Sequence, residues 1–269
     1  MLKNIATYIF DFILAVSISI LFLVIILFNT VLNKNYILKE LEIRNYYEKI
    51  YYEINNEFGE YVLQSGLEEN DLDGIFDQNT VEIDVKKVIE KIYANKPLNI
   101  DTANMIEKLD KRIKDILKEK NRNPDVEENE AIKNFEDTIS ETYINNIIIS
   151  KPFLDVASNI YTKVNNSSKI IILLFSIISI VLVFIIKIIN KEIIKYIGVA
   201  LLTSGILNVL IKVLIGNRIY NILLINQSFS DTFVELLRNI INIIFATGVF
   251  TAFMAIMIIF IGNKRATLK

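Results

Sequence analysis

The sequence predicts an all-α membrane protein with four transmembrane helices and a helical extracytoplasmic domain inserted between the first and second of them. Three observations lead to this fold class. The chain of 269 residues is 52% hydrophobic, with a mean hydropathy of +0.40, although 22% of its residues are charged. The charges are concentrated in residues 34–168, which contain 18 Lys/Arg and 27 Asp/Glu. Within that acidic part, apolar residues recur with helical rather than alternating spacing.

The first transmembrane helix is predicted within residues 1–33, after a short cytoplasmic N-terminus. Residues 12–33 contain no charged side chain. At about 1.5 Å per helical residue they cross a hydrocarbon core of about 30 Å. A cleaved signal peptide is the alternative, but its apolar core is usually about 7–15 residues long and ends at a small-x-small site. Because this run is longer and lacks such a site, we expect an uncleaved anchor.

Three further spans are predicted in residues 169–269, at about 169–188, 194–216 and 239–262. Lys169 and Lys187 bracket the first of these, and their long side chains can reach the two interfaces. The connection at 217–238 contains an apolar cluster, which we expect to lie in the outer interface.

The orientation follows from the charges of the short loops, because Lys and Arg are retained on the cytoplasmic side. Three lysines lie in and beside the loop that joins the second and third spans, and three basic residues lie in the C-terminal tail. We therefore expect a multi-pass protein of the cytoplasmic membrane. Both termini are predicted to be cytoplasmic and residues 34–168 extracellular.

The acidic residues 34–168 are predicted to form a helical bundle. Helices are expected at 47–62, 85–92, 106–117, 132–147 and 153–164, with the first and last continuing directly into membrane spans. Strand-like alternation occurs only at 80–85. About 135 residues are enough for one independent core, so we expect a compact domain rather than a stalk.

Several classes of chemistry are disfavoured by composition. The chain contains no His and no Cys, which excludes disulfides and thiol nucleophiles and removes the commonest general base and zinc ligand. G-x-S-x-G, Walker, G-x-G-x-x-G and H-E-x-x-H motifs are absent. We expect no catalytic residue and no cofactor. The acidic domain also argues against nucleic-acid binding, which needs a positive surface.

One acidic segment has the alternating oxygen ligands of a calcium-binding loop. Its candidate ligands are Glu69, Asp71, Asp73 and Asp77, with a glycine after the third. The segment departs from the EF-hand pattern, because glutamate replaces the first Asp and Thr80 stands where a bidentate Glu is required. The alternative is a turn or capped helix on an acidic surface.

Four tyrosines lie on the first helix of the acidic domain. Tyr47 and Tyr51 belong to its apolar stripe and are predicted to be core residues. Tyr46 and Tyr52 lie off the stripe, so they are the candidates for binding a partner, since an aromatic ring with a polar tip suits an interface. A headgroup-facing helix or ordinary core packing is the alternative.

The third span contains a polar face, in which Ser204, Asn208 and Lys212 follow one another at intervals of four. Helix packing against small residues such as Gly248 in the fourth span is one interpretation. A solute or ion path is the other. No acidic residue is expected in the middle of any span, because Asp11 is placed at the cytoplasmic edge of the first.

The order of one span, a large outer domain and three further spans resembles the permease subunits of the ABC cell-division and macrolide-export families. That resemblance implies a cytoplasmic ATPase as partner. It rests on topology alone, since the long cytoplasmic segment that precedes the first span in those families is missing here, and their outer domain is a mixed α/β module.

Residues 35–102 resemble uncharacterised four-span membrane proteins of AT-rich Gram-positive bacteria. The similar segments are NYYEKIYYEI, VLQSGLEENDL and VEIDVKKVIEKIYANKPLNIDT. The resemblance covers about a quarter of the chain and implies no activity and no functional residues.

The function predicted from the sequence is that of a non-enzymatic sensor, scaffold or partner-binding protein, acting through its outer helical domain. Its expected partners are the lipid bilayer and an envelope or membrane protein, or further copies of itself. A transporter, channel or permease-like subunit is the first alternative. A membrane enzyme that uses outer-domain carboxylates is the second.

Overall fold

The computed structural model describes residues 2–65, 67–68, 71, 74–148, 151–190, 192–216 and 227–267. These residues form helices and no strand, which confirms the all-α prediction, and residues 80–85 lie within a helix. The helices are α1 (Leu2–Asn29), α2 (Lys34–Ile43), α3 (Tyr46–Ser65), α4 (Gln78–Tyr93), α5 (Ala103–Glu119), α6 (Val126–Ile148), α7 (Lys151–Ile189), α8 (Ile193–Ile215) and α9 (Gln227–Thr267).

Four of these helices are long and apolar enough to cross a membrane, as in a multi-pass membrane protein. The apolar segments are Ile5–Asn29, Tyr161–Ile189, Ile193–Ile215 and Asp231–Lys264. Within the described residues, the number of helices that could span a membrane agrees with the four spans predicted. The predicted interfacial segment at 217–238 is in part outside the described residues, and its remainder belongs to α9.

Of the first and last helices predicted between the first two spans, only the last continues directly into a span. The predicted helix 153–164 is part of α7, which also contains the second span. The prediction for the other end is wrong, because α1 ends at Asn29 and α2 separates it from α3. Asn45, between α2 and α3, has φ 52°. Asparagine tolerates this left-handed conformation better than most residues, and it ends a helix.

The chain divides into two compact units. The membrane unit consists of Met1–Tyr36, Lys163–Ile222 and Phe233–Lys269. The helical unit consists of Ile37–Thr162 and Leu223–Thr232.

The helical unit has one hydrophobic core, to which α3, α4, α5 and α6 each contribute an apolar stripe. Its fully buried aliphatic residues are Ile50, Ile54, Val81, Leu109, Ile139 and Ile147. Two polar links join α6 to its neighbours. The Tyr143 hydroxyl donates to Asp84 Oδ2 on α4 at 3.0 Å, and Asn146 Nδ2 donates to Glu57 Oε2 on α3 at 2.7 Å. Because these groups have partners, their burial costs less than it would alone.

The membrane unit has a smaller core, in which α1, α7 and α8 meet at Leu14, Ala15, Leu182, Ile186 and Ala200. Polar bonds also join α1 to α7. The Ser17 hydroxyl lies 2.9 Å from the Ser179 hydroxyl and donates to the Phe175 carbonyl at 3.2 Å.

Candidate functional site

Tyr46 is a core residue and not a surface residue for binding a partner. Its side chain is 0% exposed and packs into the core of the helical unit. Burial raises the pKa of Tyr46 well above its ordinary value of 10.0, and the Glu53 carboxylate adds to the shift. The prediction that Tyr46 lies off the apolar stripe is therefore wrong. Tyr46 stands four residues before Ile50 and eight before Ile54, so it begins the ridge that these residues continue.

Tyr52 lies on the surface of α3 and is 56% exposed. Its ring meets the edge of the Tyr51 ring, with the two centroids 5.6 Å apart. The Tyr51 ring in turn contacts Phe76 of the core, at a centroid distance of 5.6 Å. The exposed Tyr52 ring thus packs on Tyr51, which packs on Phe76. Both contacts have the edge-to-face arrangement that aromatic pairs prefer.

Tyr52 belongs to a strip of α3 that we call the Tyr52 face, formed by Tyr52, Asn56, Gly59 and Leu63. Their spacings of four, three and four residues place them on one side of the helix. Leu63 is 65% exposed, and no atom lies within 4 Å of the position that a Cβ of Gly59 would occupy. The face therefore contains an aromatic ring and a large aliphatic side chain on either side of an open, low-lying stretch of helix.

Two of the four calcium candidates, Glu69 and Asp73, lie outside the described residues. The backbone N–H of Glu68 donates to Asp71 Oδ2 at 2.8 Å, and Arg112 Nε donates to the carbonyl of Asp71 at 3.0 Å. Asp77 caps the N-terminus of α4, where the backbone N–H of Thr80 donates to its carboxylate at 2.7 Å. This bond lowers the pKa of Asp77.

The described members of the calcium candidate thus perform local structural tasks. The Asp77 cap on α4 agrees with the alternative interpretation of this segment, in which it forms a turn or a capped helix. No group of three or more acidic side chains that could hold a metal ion is found in the described part of the chain. Calcium binding by the full set of four stays a prediction.

A groove with a volume of about 690 Å³ lies between the start of α5 and the middle of α6. Its acidic lining consists of Asp101, Glu107, Asp110, Glu136 and Asp137. At one side, the hydroxyls of Thr102 and Ser140 lie 2.8 Å apart. The groove therefore brings five acidic side chains of the helical unit to one surface.

Within this groove, Glu136 differs from its neighbours. Its Oε1 atom is buried, with no hydrogen-bond partner in the described part of the chain. Burial raises the pKa of Glu136, and the Asp110 carboxylate adds to the shift. Asp110 is itself engaged by Lys114, whose Nζ donates to it at 2.6 Å. The sequence offered no signal for this pair, because 26 positions separate the two residues and carboxylates are numerous throughout the domain.

The predicted polar face of α8 lies inside the membrane unit. Ser204 and Asn208 are both fully buried, and the Ser19 hydroxyl of α1 donates to Asn208 Oδ1 at 2.7 Å. Lys212 places its Nζ 4.4 Å from the centroid of the Phe245 ring of α9. At this distance the ammonium group interacts favourably with the ring face. The polar face thus contacts two neighbouring helices.

Beside that face, the backbones of α8 and α9 approach closely at two glycines. A Cβ built on Gly205 would lie 2.7 Å from the carbonyl oxygen of Gly248, and one built on Gly248 would lie 2.8 Å from the carbonyl oxygen of Gly205. Only glycine fits at both positions without movement of a backbone. This arrangement is the small-residue contact that the packing interpretation of Ser204 and Asn208 requires.

Asp11, which the sequence predicts at the edge of the first span, is a buried residue of α1. It lies within α1 and within the apolar segment Ile5–Asn29, and it is only 3% exposed. Neither carboxylate oxygen has a hydrogen-bond partner in the described part of the chain. The first span is predicted from the charge-free residues 12–33, and such a stretch cannot include a charged residue such as Asp11. A signal was nevertheless present, because Thr7, Asp11, Ala15 and Ser19 repeat every four residues along one face of the helix.

Comparison of the chain with protein-family models, with curated proteins and with solved structures gives no match. The function must therefore be inferred from the geometry of these sites.

Proposed function

We propose that this protein is a non-enzymatic sensor or scaffold of the cytoplasmic membrane, whose helical unit faces outward and binds an envelope or membrane protein. The observation that carries the proposal is the Tyr52 face of α3. Exposed tyrosine is enriched at protein interfaces, where its ring contributes contact area and its hydroxyl a hydrogen bond. The aromatic contacts beneath Tyr52 hold the ring in place, so less conformational entropy is lost on binding.

The orientation within this proposal rests on the basic residues of the short loops. Lys187 and Lys195 lie at the ends of α7 and α8 that face each other across the loop. If that loop is cytoplasmic, the chain between α1 and α7 is on the outer side of the membrane. Both termini are then cytoplasmic.

The test is site-specific photocrosslinking in intact cells with the full-length chain. A p-benzoylphenylalanine in place of Tyr52 should give a discrete crosslinked product, and Leu63→Glu in the same chain should reduce its yield. The matched control is the photoreactive residue at Val126, which is more exposed than Tyr52 but lies outside the Tyr52 face. Equal products at both positions, or none at Tyr52, would contradict the proposal. A product of twice the chain mass would assign the face to self-association instead of a different partner.

The same cells can report the orientation, because the native chain contains no cysteine. A cysteine at Asn121, between α5 and α6, should react with a membrane-impermeant maleimide. A cysteine at Asn190, between α7 and α8, should not. The reverse pattern would place the helical unit in the cytoplasm.

A transporter or channel subunit is the second candidate function. It is favoured by the burial of three polar side chains, Asp11, Ser204 and Asn208, within the membrane unit. The close contact of Gly205 with Gly248 and the bond from Ser19 to Asn208 account for part of this polarity as packing. Asp11 takes part in neither.

A further inference from the structure

The membrane unit buries a carboxyl group that has no hydrogen-bond partner among the described residues. Asp11 is almost fully buried, and both of its oxygens lack a hydrogen-bond donor in the described part of the chain. An ionised carboxylate in a low-dielectric interior costs several kcal/mol unless a positive charge or hydrogen bonds compensate it. A carboxyl group in this position is therefore stable only together with a bound positive charge, whether a proton or a metal ion.

The position of Asp11 relative to α8 follows from two contacts between α1 and α8. The rings of Tyr8 and Tyr196 lie 6.3 Å apart, and the Ser19 hydroxyl bonds to Asn208. Both contacts join residues 188 or 189 positions apart, so the two helices run parallel in a constant register. In this register Asp11 is level with Ala200, about one helical turn from Ser204.

Further unsatisfied polar groups lie in the same interior. The Ser204 hydroxyl and Asn208 Nδ2 are buried, and within the described residues neither has a hydrogen-bond partner. Buried polar groups in proteins normally have partners, so these atoms and the Asp11 oxygens on two packed helices are unusual. Asn208 also accepts the hydrogen bond from Ser19 through its Oδ1 atom.

None of the charged and titratable residues whose side chains are described at this end of the membrane unit bonds to Asp11. They are Tyr8 of α1, Lys187 of α7, Glu192 just before α8, Lys195 and Tyr196 of α8, and Lys264 of α9. Neither oxygen of Asp11 accepts a hydrogen bond from any of them. Lys195 instead lies 3.9 Å from the Glu192 carboxylate.

We propose that Asp11 binds a small monovalent cation, either a proton or Na⁺, in the core of the membrane unit, about one helical turn from Ser204. A single carboxylate carries one negative charge, which one monovalent cation neutralises. A divalent ion would leave a net positive charge, and divalent sites in proteins usually use several carboxylates. The proposal goes beyond partner binding by the helical unit, and either of the two can fail without the other.

The first test measures cation dependence of the melting temperature of the full chain in detergent. The melting temperature should rise by about 3 °C or more when Na⁺ replaces choline at constant ionic strength, or when the pH falls from 9 to 5 without Na⁺. The reason is that a ligand bound only by the folded state stabilises that state. A response to Na⁺ identifies the metal ion, and a response to pH alone identifies the proton.

Asp11→Asn should abolish this response, because its neutral side chain has no charge to compensate. Glu192→Gln is the matched control, since it removes an exposed acidic group of the same unit and should leave the response intact. An unresponsive parent protein, or a response that survives in Asp11→Asn, would overturn the proposal.

A second measurement needs no variant, so it decides the question even if Asp11→Asn does not fold. Dicyclohexylcarbodiimide modifies protonated carboxyl groups in apolar surroundings, and mass spectrometry locates the product. Modification of Asp11 in the parent protein should decrease with rising pH for a proton site, and also with added Na⁺ for a sodium site. Modification that is indifferent to both would count against cation binding.

Discussion

The helical unit packs large side chains against one another, whereas in the membrane unit the backbones of α8 and α9 meet directly. In the helical unit Tyr46, Ile54 and Tyr143 are almost completely buried among neighbours of similar size. In the membrane unit Gly205 and Gly248, which have no side chains, allow the backbones of α8 and α9 to approach closely.

The difference reflects the solvent that each unit displaces. Burying a large apolar side chain away from water is strongly favourable, so a domain in water is stabilised mainly by large buried side chains. An apolar side chain gains little by leaving lipid, so membrane helices associate through close packing and polar contacts. Substitutions of matching chemistry should therefore have different effects in the two units.

The largest effect is expected from Gly205→Ala. The added Cβ would lie 2.7 Å from the Gly248 carbonyl oxygen and 2.8 Å from the Ala252 nitrogen. Because both are backbone atoms, α8 and α9 must move apart. We expect a loss of about 1–3 kcal/mol, the usual cost of overpacking, measured as a lower melting temperature of the full chain in detergent.

The control for this change is Ile206→Ala, one position further along α8. The side chain of Ile206 is 49% exposed on the surface of α8, so its truncation should change the melting temperature much less. If the two variants melt alike, direct backbone contact at Gly205 does not stabilise the membrane unit.

A smaller effect is expected from Tyr143→Phe in the helical unit. The change removes the hydroxyl that donates to Asp84 Oδ2, leaving that oxygen without its buried donor. The expected cost is about 1–2 kcal/mol, detected by hydrogen exchange of the α4 and α6 amides. Burial and the nearby Asp84 raise the pKa of Tyr143 above its ordinary value of 10.0, so this bond is fully formed at neutral pH.

The corresponding change in the membrane unit is Ser19→Ala, which removes the bond to Asn208 Oδ1. Hydrogen bonds between membrane helices contribute about 0.6 kcal/mol on average. Hydrogen exchange in α1 and α8 should therefore change less than in the helical unit of Tyr143→Phe. An equal or larger change would show that this polar contact contributes as much to holding α1 against α8 as the Tyr143 bond contributes within the helical unit.

The helices of both units are predictable from the sequence, because each has an apolar run or stripe of sufficient length. Leu109 and Ile113 of α5, for example, are both predicted and observed to be buried. The two breaks that separate α1, α2 and α3 are not predicted, because residues 29–46 contain neither glycine nor proline. The second break coincides with the positive φ angle of Asn45, for which composition gives only a weak signal.

The candidate sites are less predictable than the helices, since each depends on residues that only the tertiary fold brings together. Glu136 is distinguished from the other carboxylates by its burial beside Asp110, which is on another helix. Asp11 is distinguished by having no hydrogen-bond partner among the residues that the structure describes, which no pattern in α1 can reveal. Tyr52 could be placed correctly, because its position depends only on the period of α3.

The only effect of opposite sign, also below about 1 kcal/mol, is expected from Gly59→Ala. Gly59 lies in the middle of α3, where its backbone loses more conformational entropy on folding than that of alanine. Nothing lies within 4 Å of the new Cβ, so the substitution should stabilise the helical unit by about 0.4–1 kcal/mol, measured by slower exchange of the α3 amides.

The methyl group that Gly59→Ala adds also lies on the Tyr52 face. If the photocrosslinked product from position 52 decreases in this more stable protein, the partner must approach the helix at Gly59, and glycine is retained there for contact at the expense of stability. If stability and product both increase, the partner contacts Tyr52 without covering the middle of the face.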